Sequence, residues 1–453
     1  MKSIIVGGGK VGFALAANLC QEGHDVTVID KDRSRLDIME EHLNISTVHG
    51  NAAKLETLAE ADAAGTDLII AVTDKDELNM VTCFLARRAG VKSAVARVRA
   101  PGYSDLNNSA ALSALGIDML INPEKVTARA IGMLIDYPEA NHVSYFGGGQ
   151  IVMMEFRLNE SCTGLGTPLS ELRCPVPCII MGIEHQGQLI IPRGNDRLSA
   201  GDDVLLLTAV KDARRVEEFL NIAPRHPHDI SILGGSLVGY YLAEMLEKSD
   251  RHYNVKIFEP DRLLSEEMAQ QFRHTTVINC SGEAAISMFD DENVGDSDLL
   301  IAASEDDKVN LFSCVVAHHL GAGKTITQIR GEYAYLVESA GADKVVSPNR
   351  LTLNSILSFI NRNRMLSLTR FVDSPGQITE FMVAKDAPAA GKQIKDIHFP
   401  TDSLICMIIR QGQHMIPSGL DQLLPGDAVI IFSLPDAMEQ LEKLLSAKID
   451  RED

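Results

Sequence analysis

Apolar positions along this chain change period in a fixed order. From residue 1 to about 138, continuous apolar runs at 3–6, 25–29, 68–72 and 94–98 alternate with stretches such as 12–22 and 76–89 whose apolar residues form one helical stripe. Strands that are apolar throughout, separated by helices, predict a parallel sheet covered on both faces. A further helix at 124–136 carries Val126, Ile131, Leu134 and Ile135, an apolar face suited to a partner subunit. Residues 145–150, with their run of glycines, read as a linker. Beyond them the period falls to two. Strands are expected at 151–157 and 178–184, a hairpin turn at 185–188 into 189–191, a second turn at 201–203 into 204–208, and a short helix at 211–220. This second pattern predicts a small α+β domain.

The whole order is then written again. Residues 5–12 (Ile-Val-Gly-Gly-Gly-Lys-Val-Gly) return as 232–239 (Ile-Leu-Gly-Gly-Ser-Leu-Val-Gly), and 67–71 return as 298–302. Gln186-Gly187-Gln188 matches Gln411-Gly412-Gln413, and Gly201-Asp202 matches Gly426-Asp427, with an offset between 225 and 231 throughout. The expected organisation is two tandem doubly wound parallel-sheet domains, each followed by a small α+β domain. The expected boundaries are 1–138, 139–223, 228–366 and 367–453, which leave no remainder for a separate catalytic domain. The segment 221–229, with Pro224 and Pro227, joins the halves, and Arg362, Arg364 and Arg370 form a basic cluster at the last junction.

Composition narrows the function classes. The chain has 453 residues, 45% of them apolar, and no run of the roughly 18 to 20 apolar residues that spans a bilayer. A net charge of −20 argues against nucleic acid, whose binding rests on Lys and Arg at phosphates. It argues equally against direct adhesion to an anionic leaflet, so any membrane association is expected to run through a protein partner. The start runs straight into a strand and a glycine turn, unlike a secretory signal. The eight cysteines are scattered without a CxxC pair and are expected to be reduced. Cys83 and Cys314, equivalent in the two copies, read as core.

The candidate chemistry sits at the glycine turns. Gly7-x-Gly9-x-x-Gly12 follows a strand and opens a helix: the first glycine permits the tight turn, the second lets backbone approach a pyrophosphate, and the third brings helix and strand together. The helix N-terminus offers unpaired N–H groups to phosphates. Asp30, 18 residues past Gly12, ends the second strand, where a carboxylate accepts ribose hydroxyls and repels a 2′-phosphate. NAD(H), or an adenine nucleotide generally, is therefore expected over NADP(H). The plain alternative is a tight turn with no ligand.

The residues expected at the ligand are Gly7, Gly9, Lys10, Val11, Gly12, Asp30, Asn51, Thr73, Asp74 and Arg97. Thr73 and Asp74 follow a strand at the carboxyl edge, where ligands bind in doubly wound sheets, and are equally able to cap the next helix. Arg97 and Arg99 could meet phosphate oxygens. In the second copy Ser236 replaces the middle glycine, Gln328 replaces Arg97, and Glu259 takes the acid position with two extra residues before it. Gly234, Gly239 and Glu259 therefore mark a second, weaker site. Gly323-Lys324-Thr325 imitates a P-loop, but the repeat places it where a helix returns to a strand, the reverse of the order a P-loop needs.

The first glycine turn with Asp30, residues 67–74, Arg97 and the order of four domains resemble the TrkA family over about residues 1 to 450. Each half is similar to an RCK (KTN) unit, a Rossmann-like nucleotide domain followed by a small RCK-C domain. The resemblance implies a non-enzymatic, cytoplasmic regulatory subunit, peripheral on the inner face of the membrane. It implies a dimer or tetramer gating ring under a TrkH/TrkG-type or KtrB-like potassium-transporting subunit, with NAD(H) and ATP/ADP as effectors and no membrane insertion of its own. Two other classes fit the same turn: an NAD-dependent oxidoreductase, and a regulator of another transporter such as a cation/proton antiporter.

Overall fold

Ile4, Ile5, Val28, Ile29, Ile69 and Ile70 are all shut off from solvent, as strands covered on both faces require. In the computed structural model, which describes residues 1–104, 110–222, 226–280, 284–331, 341–361, 367–370 and 376–446, they lie in one six-stranded sheet. The domain ends expected at 223, 366 and 453, and Arg362 and Arg364, lie outside the described residues.

The sheet comprises β1 (Lys2–Val6), β2 (Asp25–Asp30), β3 (Ser46–His49), β4 (Leu68–Ala71), β5 (Ser93–Arg97) and β6 (Met119–Ile121) in the order β3-β2-β1-β4-β5-β6, parallel throughout. Strand order reverses between β1 and β4, which opens a crevice at their carboxyl ends. The apolar pattern predicts four of these strands; the edge strands β3, with Val48 as its one apolar residue, and β6, three residues long, are too slight to show. The second copy repeats the arrangement with β12 (Asp229–Leu233), β13 (Asn254–Glu259), β14 (Thr275–Asn279), β15 (Leu299–Ala302), β16 (Lys324–Gln328) and β17 (Lys344–Val346). Lys324 opens β16, so the P-loop look-alike sits at the start of a strand. Cys83 and Cys314 are fully buried on the matching helices Asp76–Ala89 and Asp307–Leu320, and burial pushes both thiols up to about 12.

The small domains are antiparallel sheets. The first holds β7 (His142–Phe146), β8 (Ile151–Arg157), β9 (Cys178–His185), β10 (Gln188–Ile190) and β11 (Asp203–Ala209). The second holds β18 (Ser367–Arg370), β19 (Gln377–Met382), β20 (Ser403–Arg410), β21 (Gln413–Met415) and β22 (Ala428–Ser433). Residues 145–150 are not the linker their glycines suggest. Tyr145 and Phe146 end β7, Gly147–Gly149 turns with positive φ at each residue, and β8 returns antiparallel.

Contacts gather equivalent domains rather than sequential ones. Residues 1–131 and 228–356 form one compact unit, and 132–227 with 357–453 form another. In the first, Asn122 Nδ2 donates to Tyr241 Oη at 3.2 Å and Lys125 Nζ lies 5.7 Å from the Tyr241 ring centre. The start of helix Pro123–Asp136 thus meets the second copy within the same chain. In the second unit the two sheets share one core: Phe146, Met153, Leu205 and Leu207 pack with Ile378, Met407, Ile430 and Phe432.

Candidate functional site

Each glycine of the first turn answers a different physical need. Gly7 has φ +109°, a left-handed conformation that a side chain disfavours, and its N–H donates to Ile29 O at 2.9 Å. A Cβ on Gly12 would fall inside the Gly7 carbonyl oxygen, so only glycine lets helix Lys10–Gln21 lie that close to the turn. Gly9, with φ −76°, caps that helix without a side chain, and a Cβ there would meet nothing within 4 Å. The space over Gly9 is open, and the N–H groups of Lys10, Val11 and Gly12 begin the helix beneath it. Val11 is itself buried, so its backbone is what it offers.

Asp30 is 7% exposed and binds the turn directly. Its Oδ2 accepts from Gly8 N at 2.6 Å and its Oδ1 from Asp32 N at 2.8 Å. Each oxygen keeps a further lone pair with which it can accept another hydrogen bond. Arg35 Nη1 approaches Oδ2 to 3.9 Å. Asn51 lies exposed just after β3, its Oδ1 taking Ala53 N at 3.0 Å.

Across the crevice, Thr73 is held by a residue the sequence pattern does not single out. Asn79, fully buried, accepts from Thr73 N at 3.0 Å and Thr73 Oγ1 at 2.6 Å, and donates to Thr73 O at 3.1 Å and Arg97 O at 2.9 Å. Asn310 repeats the clamp on Ser304 and Gln328. Their recurrence in equivalent helices is the one signal the chain offers for them. Capping of the next helix by Thr73 or Asp74 is not what the structure shows: the cap position is Lys75, and in the second copy it is Asp306, which accepts from Lys308 N and Val309 N. Asp74 stands exposed, and Glu305 pairs with Arg99.

Arg97 lies in a charged cluster where the two parallel-sheet domains meet. Its Nε is buried and makes no hydrogen bond. Burial lowers the guanidinium below its ordinary range, opposed by Glu124 and reinforced by Arg99 and Arg330. Arg99 spans the two copies, donating from Nε to Glu124 Oε1 at 2.7 Å and from Nη2 to Glu305 Oε1 at 2.8 Å. Lys10 Nζ also reaches the second copy, 3.4 Å from Arg330 O.

The second turn keeps the architecture and changes the surface. Gly234 has φ +97°, and a Cβ on Gly239 would run into Gly234 O. Glu259 reproduces Asp30: Oε2 accepts from Gly235 N at 2.6 Å and Oε1 from Asp261 N at 2.7 Å. Burial raises its carboxyl, against those two backbone bonds. Ser236 turns its hydroxyl onto Ala303 O at 2.8 Å. Gln328, fully buried, donates to Ala303 O and Ser304 O at 2.8 and 2.7 Å. A cavity of about 1140 Å³ opens here, walled by both copies.

Comparison with known proteins follows the same division. The TrkA-N domain family matches residues 3–123 and 230–348, and the TrkA-C domain family matches 153–221 and 378–446. The chain is similar to a Trk system potassium uptake protein TrkA homolog 1 of Methanosarcina mazei, 30% identical across 98% of this chain and 99% of that one. It is 32% identical to the Trk system potassium uptake protein TrkA of Halomonas elongata, across 95% of each. Among solved structures, the GsuK channel bound to NAD superposes with a TM-score of 0.63 at 18% identity, over 99% of this chain and 79% of that one. At that identity the likeness speaks for the fold.

Proposed function

The chain belongs to the TrkA family of Trk system potassium uptake proteins, and from that premise we propose that it is the nucleotide-sensing regulatory subunit of a potassium transporter. The observation that carries the reading is the first glycine turn, with open space over Gly9, a helix N-terminus below it and the Asp30 carboxylate beside it. That arrangement suits the pyrophosphate and adenosine ribose of NAD(H), with ATP or ADP as a competing effector at the same turn. Lys10, Asn51, Thr73, Asp74 and Arg97 are assigned to the same ligand. The relatives named for potassium uptake, and the NAD bound by the GsuK channel, support this choice.

Among the described residues no helix is long and apolar enough to cross a membrane, so transport would be done by a partner. We assign that role to a TrkH/TrkG-type subunit, with this chain bound to it as a dimer or tetramer on the cytoplasmic side. A ligand shifts such an assembly only through its affinity difference between two states, typically about 1 to 3 kcal/mol. The two parallel-sheet domains, bridged by Arg99 and Lys10, are the element a nucleotide at the first turn would bias.

Potassium uptake in cells that carry Gly9→Glu in place of the native chain tests the reading. The expected outcome is uptake insensitive to the cellular NADH/NAD⁺ ratio while the variant stays folded, because the new side chain meets no protein atom at its Cβ. An unchanged response would overturn it.

A further inference from the structure

The cavity at the second turn belongs to both copies within the chain. Its floor is formed by residues 234–237 and Glu259, and its roof by residues 74–77 and 99–101 of the first copy. A volume of about 1140 Å³ would admit a dinucleotide, so size selects nothing. Charge does. Each cation assigned to the first ligand or set beside its ribose acid has a neutral counterpart in the second copy: Lys10 becomes Leu237, Arg35 becomes Leu264 and Arg97 becomes Gln328. Leu237 and Leu264 line the cavity, and Gln328 is spent on backbone carbonyls.

The roof does not restore the missing charge. It brings Asp74 and Glu77, and its Arg99 is already committed to Glu305 and Glu124. Ser236 also fills the position that Gly9 leaves open over the helix start. A chain of phosphates laid here would face carboxylates in a half-enclosed space, with Lys75 as the remaining cation among the lining residues. What survives from the first site is the ribose acid, Glu259, now flanked by Pro260, Leu264 and Tyr240, which suit a base.

We propose that the second pocket takes a ribonucleoside carrying at most one phosphate, clamped between the two parallel-sheet domains, while polyphosphates and dinucleotides are left to the first turn. The assignment rests on the reading of the glycine turns as nucleotide sites. Glu259 accepts the ribose hydroxyls, the apolar wall takes the base, and the first copy closes over the ligand.

The test is calorimetric titration of the full-length protein with the four common ribonucleosides, AMP, ATP and NADH. It uses wild type, Gly9→Glu, Glu259→Ala and Leu264→Arg. Gly9→Glu should lose NADH tenfold or more and keep a nucleoside, and Glu259→Ala should do the reverse. Glu259 anchors Gly235 and Asp261, so Leu264→Arg guards against misfolding of that variant: restoring the cation should tighten ATP at the second pocket at least fivefold. ATP or NADH binding to Gly9→Glu as tightly as any nucleoside would overturn the proposal, as would no nucleoside or AMP binding at all. Failure of the first-turn reading looks different: wild type would then bind no NADH, yet still bind a nucleoside through Glu259.

Discussion

Two glycines three residues apart should respond oppositely to the same substitution. Gly12→Ala drives a methyl into the Gly7 carbonyl, and we expect a loss of more than about 2 kcal/mol in denaturant unfolding. Gly9→Ala meets open space at an ordinary φ, so its stability should change by less than about 0.5 kcal/mol while nucleotide affinity falls. Glu217 makes a pH prediction. It is 1% exposed, and burial, with Glu139 adding to it, raises its carboxyl to about 7 from 4.5. The folded protein therefore holds this proton more tightly than the unfolded chain. Stability is favoured at low pH, falls as pH rises from about 4.5, and the penalty is complete above about 7. Glu217→Gln should stabilise the protein more at pH 8 than at pH 6, by about 1.4 kcal/mol of difference in denaturant unfolding; an equal gain at both would contradict the assignment. Of these residues, the two glycines were legible because they belong to a turn that the chain repeats at 234–239. Glu217 was not, because its burial depends on which side of helix Ala213–Phe219 meets the sheet.

At the scale of elements, the Asn79 clamp joins the end of β4, the end of β5 and the helix between them. Asn79→Ala would take the partner from Thr73 N and from the Arg97 carbonyl, while Thr73 Oγ1 keeps its contact with Lys75. A cost of about 2 to 3 kcal/mol is expected, read by chemical denaturation, and Asn310→Ala should match it in the second copy. A loss below about 0.5 kcal/mol in either would show that water substitutes. Helices and interior strands were readable from apolar runs, since burial on both faces leaves few polar positions. The hairpin at 145–150 was not: its glycines carry the same signal in a turn as in a linker, and only the pairing of Phe146 with Ile151 separates the two. Asn79 and Asn310 were missed because a buried polar residue on a helix looks like a solvated one until its partners are known.

At the scale of the molecule, the sequence order suggests beads in series, whereas packing gathers like with like. No local pattern says which apolar face meets which, so this pairing was invisible in the chain. The first half expressed alone should reveal it. Residues 1–222 would leave Phe146, Met153, Leu205 and Leu207 without the second sheet, and we expect that fragment to dimerise or aggregate in sedimentation experiments. A stable monomer would contradict the shared core. The same pairing carries Arg99 and Lys10 of the first copy onto Glu305 and Arg330 of the second. The most direct measurement is calorimetric titration of NADH into wild type and Asp30→Ala. The account predicts micromolar binding weakened at least tenfold, about 1.4 kcal/mol, with no NADH consumed. Equal binding to both folded proteins would contradict it, and the first glycine turn would then be architecture alone.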